Sequence, residues 1–270
     1  MSSTSDIINI FLPVLSHWII WLIFFVVVIV VLLLYYYQFK KTKTKFSSYH
    51  VGIPIANIIS LYIFTKMLEG IIYQGSILKV DAWFNKIIYL PWITKIASFI
   101  TNFGSGLLIT ILFMVILGAL VLRKRWRYAL LSTVALLGAT VLNMYIKTLV
   151  HRIRPENLIE TGFSFPSGHA ITAIVFVSLL IYSFKDDFKN KIIKYILIIL
   201  SVSFFVAVGI SRIILHVHWF SDVVGGISLG LFWFMLVVLI ERSITGLIPA
   251  VKKETKEADS RLFFSTKKSP

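Results

Sequence analysis

Long apolar stretches alternate with short polar ones along almost the whole chain, at about 15–37, 53–75, 104–122, 128–146, 169–184, 192–210 and 223–241. A helix of about 20 apolar residues crosses the hydrocarbon core of a bilayer, so each stretch predicts a transmembrane helix. The fifth is short at its apolar core and borrows length at both ends. The second is the least clean, because it carries Lys66 and Glu69 three residues apart. Ionisable groups at that depth are functional candidates by default, yet a mutual ion pair near the outer boundary explains them about as well. They stay outside the candidate site. The pattern predicts an all-α, polytopic helical membrane protein, with a six-span core preceded by one extra N-terminal transmembrane helix.

Composition agrees: of 270 residues 58% are hydrophobic and only 14% charged, and the mean hydropathy is +0.88, which excludes an ordinary soluble domain. Lysine and arginine then orient the spans. Segments 38–50, 123–127, 184–194 and 242–270 hold 4, 4, 4 and 7 of the 27 basic residues, whereas the alternate connections hold Lys79, Lys86, Lys95, Lys147, Arg152, Arg154 and Arg212. The positive-inside rule makes the first set cytoplasmic, with the N-terminus outside and the C-terminus inside. The net charge of +15 is thereby a topology signal, with attraction to anionic head groups secondary. A membrane bilayer and no nucleic acid is the expected surrounding.

The absence of cysteine removes disulfides, thiolate catalysis and cysteine metal ligands. Residues 1–14 lack Lys and Arg, and the first run is too long for a signal-peptide core, so an uncleaved span is expected. Three regions follow: residues 1–45, an N-terminal helix with the Lys40–Lys45 stop signal; 46–242, the membrane domain; and 243–270, a polar cytoplasmic tail that reads as solvated or disordered. Between the second and third spans, residues 81–92 mix aromatics and lysines, as helices lying at the outer interface do.

The chemistry concentrates at 211–222. Arg212, His218 and Asp222 stand there beside a span, and His218 and Asp222 are four residues apart. If this segment enters a helix, both side chains share one face, and the carboxylate can hold one imidazole nitrogen while the other is free to attack. Upstream, Lys147 is followed after six residues by Arg154-Pro155, and then by Pro166-Ser167-Gly168-His169.

With these three blocks the chain resembles the type 2 phosphatidic acid phosphatase superfamily, whose signature is K-x6-RP, PSGH and SR-x5-H-x3-D. All eleven specified positions are present, in order and with the expected gaps. The blocks most resemble those of bacterial members that act on phosphatidylglycerophosphate. The resemblance implies an integral membrane phosphatase that hydrolyses a phosphomonoester or pyrophosphate of a membrane lipid. His218 would attack phosphorus, His169 would protonate the leaving oxygen and later activate water, and Asp222 would fix the tautomer of His218. Lys147, Arg154 and Arg212, with Ser167 and Gly168 at a helix N-terminus, would hold the phosphate. The implied reaction is metal-independent and needs no cofactor. No carboxylate cluster suited to magnesium accompanies the blocks, the nearby outer-face acids being Glu156, Glu160 and Asp222.

An even number of spans separates the three blocks, so they meet on one face, the extracytoplasmic one by the charge asymmetry. Among substrates of such enzymes, undecaprenyl pyrophosphate stands as the alternative to glycerophospholipid phosphates. A vanadium haloperoxidase shares the motif but is soluble, and a non-catalytic lipid-binding or transport protein would be expected to have lost a motif residue. His151, His216 and Arg152 fall outside the signature and read as interfacial polar residues. Gly225-Gly226 reads as a site of close helix packing.

Overall fold

The computed structural model describes residues 4–42, 48–87, 91–155, 161–184, 187 and 190–266, in which helices and their connections occur and strands do not. In chain order the helices are α1 (Thr4–Thr42), α2 (Ser48–Ile72), α3 (Ile77–Ile87), α4 (Pro91–Phe103), α5 (Gly106–Leu122), α6 (Trp126–Val150), α7 (Gly168–Phe184), α8 (Lys191–Ile214) and α9 (Phe220–Thr266). Among the described residues, six stretches are long and apolar enough to span a membrane: His17–Gln38, Gly52–Ile72, Trp92–Leu122, Trp126–Val150, Lys191–Ile214 and Phe220–Ile244. Helix α7, with 17 residues, is the short apolar seventh. The protein is therefore an all-α, multi-pass membrane fold.

Three details differ from the pattern. The third apolar stretch begins earlier than residue 104 and is broken in two. Pro91 starts α4, where its missing N–H is harmless, and Ser105 restarts the chain as α5 by accepting the Leu108 N–H at 3.3 Å. Of the interfacial segment 81–92, residues 81–87 fall in α3 and residues 91–92 open α4. The segment from 243 onward, expected as a solvated or disordered extension, continues α9 as helix to Thr266. Part of the Lys40–Lys45 stop signal lies outside the described residues, as do Glu156 and Glu160.

Helix α7 is the axis of the molecule. It is apolar all round, and Ala170, Ile171, Ala173, Val175, Val177 and Leu179 are all buried. Such a helix belongs inside a bundle, and α5, α6, α8 and α9 surround it. Screened from lipid by neighbours, it does not need the length of a lipid-facing span. Close approach of α9 depends on Gly225 and Gly226, as the sequence suggested. A Cβ at Gly225 would stand 2.5 Å from the Phe165 ring, and one at Gly226 would stand 2.7 Å from the Ser167 carbonyl oxygen. The segment that opens α7 is thereby pressed against the first turns of α9.

Helix α1 packs along α2 and α9 through Phe24 and Val31, with most of its stretch His17–Gln38 left open. Lys66 and Glu69 pair at 2.5 Å, and Glu69 also accepts from Trp21 Nε1 at 3.1 Å and meets His17 Nδ1 at 3.1 Å. The pair is thus a polar clasp between α1 and α2. Interhelical hydrogen bonds in bilayers contribute only about 0.6 kcal/mol each, so apolar packing carries most of this contact.

Candidate active site

The candidate residues all lie at one end of the bundle, at the C-terminal ends of α6 and α8 and the N-terminal ends of α7 and α9. Helix α6 stops because His151 adopts a left-handed conformation, φ 51° and ψ 31°, with its N–H on the Lys147 carbonyl. That reversal sends Arg152 and Arg154 back across the bundle end. Helix α8 stops similarly. His216 is left-handed at φ 54°, and the N–H groups of Val217 and His218 both donate to the Arg212 carbonyl at 3.3 Å. The turn 215–219 is thus fastened to α8, and His218 lies in it, between the spans.

His218 and Asp222 meet, although His218 stands in the turn ahead of α9 and does not share a helix face with Asp222. His218 Nδ1 lies 3.3 Å from Asp222 Oδ2, and both side chains are essentially inaccessible. Its other ring nitrogen, Nε2, lies 3.3 Å from Arg154 Nη1. A guanidinium can only donate, so Nε2 accepts and carries no proton, while Nδ1–H donates to Asp222. Burial pushes the imidazole down from 6.5 to about 4, and the nearby cations of Arg154 and Arg212 act in the same direction against the opposing pull of Asp222. At neutral pH the ring is uncharged, with its nucleophilic lone pair at Nε2.

The cations surround it. Arg154 is 7% exposed and donates to the carbonyls of Val217 at 2.8 Å and Gly162 at 3.0 Å. Arg212, 2% exposed, donates to Thr101 of α4 at 2.8 Å. Lys147 bonds the Phe163 carbonyl and lies 3.4 Å from that of Ser164, so it braces the segment leading into α7. Ser167 is wholly buried, and its backbone N–H donates to the Asp222 carbonyl at 3.0 Å. Its hydroxyl has no protein partner among the described residues. Gly168 opens α7 against Asn143, where a Cβ would come 2.9 Å from the amide nitrogen. His169 occupies the first turn of α7, where its ring adjoins Gly104 between α4 and α5.

Sequence reasoning passed over four contributors. Arg152, read as an interfacial cation, is 9% exposed and donates to Asp222 Oδ1 at 2.5 Å, Ser221 Oγ at 2.7 Å and Asp81 Oδ2 at 2.6 Å. Asp81, missing from the acids named above, is 2% exposed and accepts the Ser221 N–H at 2.8 Å, capping α9 from α3. Trp219 donates its N–H to Asp222 Oδ2 at 2.9 Å, and its ring lies 5.4 Å from the Arg152 guanidinium. His216, also read as interfacial, is buried and meets Asn85 Oδ1 at 2.6 Å. A signal did exist for Arg152: it is an arginine on the face that the charge asymmetry depletes.

A family model described as the PAP2 superfamily matches residues 128–245, a range that holds every candidate residue. Phosphatidylglycerophosphatase B of Bacillus subtilis (strain 168) is 34% identical over 188 residues, which are 66% of this chain and 92% of that protein. The chain belongs to the PAP2 superfamily. The crystal structure of a transmembrane PAP2 type phosphatidylglycerolphosphate phosphatase from Bacillus subtilis aligns with a TM-score of 0.57 at 30% identity, covering 67% of this chain and 93% of that one. The Aquifex aeolicus LpxE structure aligns with a TM-score of 0.45 at 23% identity, covering 60% and 93%. As a PAP2 protein with multiple apolar spans, the chain is an enzyme, a multi-pass membrane lipid phosphatase acting on a lipid phosphate.

Proposed function

We propose that the protein cleaves the terminal phosphate from a glycerophospholipid phosphate at the outer leaflet, by way of a phosphohistidine at His218. The observation that carries this reading is the placement of His218 between Asp222 at Nδ1 and the Arg154 donor at Nε2, which selects the tautomer with Nε2 unprotonated. Arg154 passes its hydrogen bond from Nε2 to a phosphate oxygen, Nε2 attacks phosphorus, and the bond to the lipid oxygen breaks as His169 gives that oxygen a proton. Water then attacks the phosphohistidine while His169 takes its proton. The P–N bond breaks, releasing phosphate and restoring His218.

Transfer spreads negative charge over the equatorial oxygens. Arg154 and Arg212 are the donors placed to receive it, with Lys147, the Ser167 hydroxyl and the α7 N-terminus at Gly168 beside them. Three cations and a helix terminus supply the charge stabilisation that a metal ion would supply elsewhere, which favours a metal-independent reaction. The name of the Bacillus relative makes phosphatidylglycerophosphate the first substrate to try. The side follows from the basic residues, which crowd the opposite ends of the spans. In this reading residues 46–242 are the phosphatase unit, 1–45 an accessory helix and 243–270 a cytoplasmic tail.

Phosphate release by the purified protein from phosphatidylglycerophosphate, phosphatidic acid and undecaprenyl pyrophosphate, with and without EDTA, tests the reading. Release from phosphatidylglycerophosphate that survives EDTA and is inhibited by vanadate is expected, because vanadate adopts the five-coordinate geometry of the transition state. Release from undecaprenyl pyrophosphate alone would replace the substrate, and dependence on added magnesium would replace the mechanism.

A further inference from the structure

Helix α3 lies across the turn that carries His218, and three of its residues, one helical turn apart, grip that turn. Asp81 holds the N–H and hydroxyl of Ser221 at 2.8 and 2.7 Å. Phe84 stacks on Phe220 with ring centroids 4.4 Å apart and planes within 2°. Asn85 meets His216 at 2.6 Å. The positions i, i+3 and i+4 form one helix face, and that face is spent on residues 216–221.

The grip continues inward through Arg152. Its guanidinium joins two buried carboxylates, Asp81 through Nη2 and Asp222 through Nη1. The two oxygens of Asp222 are thereby divided. Oδ1 belongs to Arg152, and Oδ2 is left for His218 Nδ1 and the Trp219 N–H. A carboxylate so held cannot rotate away from the imidazole. Arg152 also tempers the negative charge that Asp222 presents to His218.

We propose that Asp81 and Arg152 are positioning residues for the reaction, with Asp81 orienting Arg152 and Arg152 fixing both the rotation and the effective charge of the Asp222 carboxylate that holds His218. Neither touches the phosphate. The proposal rests on His218 being the nucleophile.

Charge gives it a signature that a merely structural role lacks. The charged groups facing His218 are Asp222 on α9, Arg154 from the segment after α6 and Arg212 on α8. From α3, Asp81 acts only through Arg152. In Arg152→Gln the Asp222 charge is no longer shared, the imidazolium gains stability, and the acid limb of kcat/KM moves upward from about pH 4. In Asp81→Asn all of the Arg152 charge falls to Asp222, so that limb does not move upward.

The test is steady-state kinetics across pH on full-length protein in mixed micelles of phosphatidylglycerophosphate, with wild type, His218→Ala, Arg152→Gln, Arg152→Lys, Asp81→Asn and the double variant Asp81→Asn/Arg152→Gln. Orienting partners one shell out are worth about 10–100-fold, so Arg152→Gln should lose that much kcat with KM within about twofold. Lysine has a single nitrogen and lacks the planar fork by which Arg152 reaches Asp222 through Nη1 and Asp81 through Nη2, so Arg152→Lys should recover only part of the loss. Asp81→Asn should lose about 3–10-fold alone and under about twofold more in the Arg152→Gln background, as expected for two groups in series. The double variant buries no unpaired carboxylate at position 81, so it guards against an Arg152→Gln chain that fails to fold.

Wild-type kcat in Arg152→Gln, a loss confined to KM, an unmoved acid limb, or losses that multiply in the double variant would each overturn the proposal while leaving an inactive His218→Ala, and with it the nucleophile, in place. Turnover that survives His218→Ala would remove both.

Discussion

Both ends of the bundle join helices with arginine–carboxylate pairs, and the two sets are built for different purposes. At the end opposite the site, Arg123 and Arg125 share Asp187, with Arg123 at 2.7 Å, and Arg127 pairs with Glu241. The Arg123 side chain is 57% exposed. At the site end, Arg152 is 9% exposed, its partners Asp81 and Asp222 are 2% and 0% exposed, and every charge has at least two donors or acceptors. Exposed pairs are screened and contribute little. Breaking a buried one costs on the order of 3–5 kcal/mol, because it strands a charge. The same residue types therefore act as interchangeable fasteners at one end and as a fixed electrostatic frame at the other.

The largest effects are expected where that frame meets the nucleophile. His218→Ala removes the nitrogen proposed to attack and should lower kcat by at least about 10⁴-fold. Asp222→Asn keeps the nucleophile and one acceptor but loses the charge, and should retain more, on the order of 10²-fold below wild type. Single-turnover phosphate release measures both. Equal rates for the two variants would mean that the frame and the nucleophile cannot be told apart.

Which end faces outward is a categorical matter. The chain has no native cysteine, so Thr161→Cys at the site end and Lys124→Cys at the other, both exposed positions, can be challenged in intact cells with a thiol reagent that does not cross membranes. Labelling of Thr161→Cys and protection of Lys124→Cys is expected. The reverse would put the chemistry in the cytoplasm and leave the contrast between the ends without its outer-leaflet meaning.

What the sequence revealed, and what it hid, follows the same division. His218 and Asp222 are four residues apart, and each motif block is short, so local spacing exposed them. The frame is made by distant parts of the chain: Arg152 is 71 residues from Asp81 and 69 from Ser221. Periodicity has no reach over such separations. Seven apolar stretches were legible because hydropathy is local, whereas the break at Gly104-Ser105 and the central place of α7 depend on neighbours. The tail beyond residue 243 read as solvated or disordered because its charges are dense, and α9 continues through it as helix, which replaces the disorder alone.

A smaller effect is expected from pH. His218 is held near 4 chiefly by burial, against an ordinary value of 6.5. Between those values the unfolded chain binds a proton there that the folded one does not. The contribution of this group to stability is thus complete above about pH 6.5 and is lost as pH falls toward 4. Folded-state His218 stays neutral over the same interval. The acid limb of kcat/KM should then lie near pH 4, while thermal stability already declines below about 6.5. An acid limb near 6.5 that is not the second ionisation of the substrate phosphate, at about 6, would mean that His218 titrates as an exposed imidazole does, and that the buried frame does not govern it.

The smallest effect belongs to the opposite end. The Arg125 hydrogen bond holds the Asp187 carboxyl below its usual range, so the charge there persists through neutral and mildly acid pH and the pair to Arg123 and Arg125 stays formed. Asp187 is nevertheless open to solvent and head groups, which screen it and can replace its partners. Asp187→Asn should therefore leave kcat and KM within about twofold of wild type, and its acid limb unmoved, since none of its charge reaches His218. Kinetics on Asp187→Asn beside Arg152→Gln put one broken pair from each end side by side. A loss in Asp187→Asn as large as that in Arg152→Gln would show that the ends are coupled through α7 and α9, and that burial is not what separates frame from fastener.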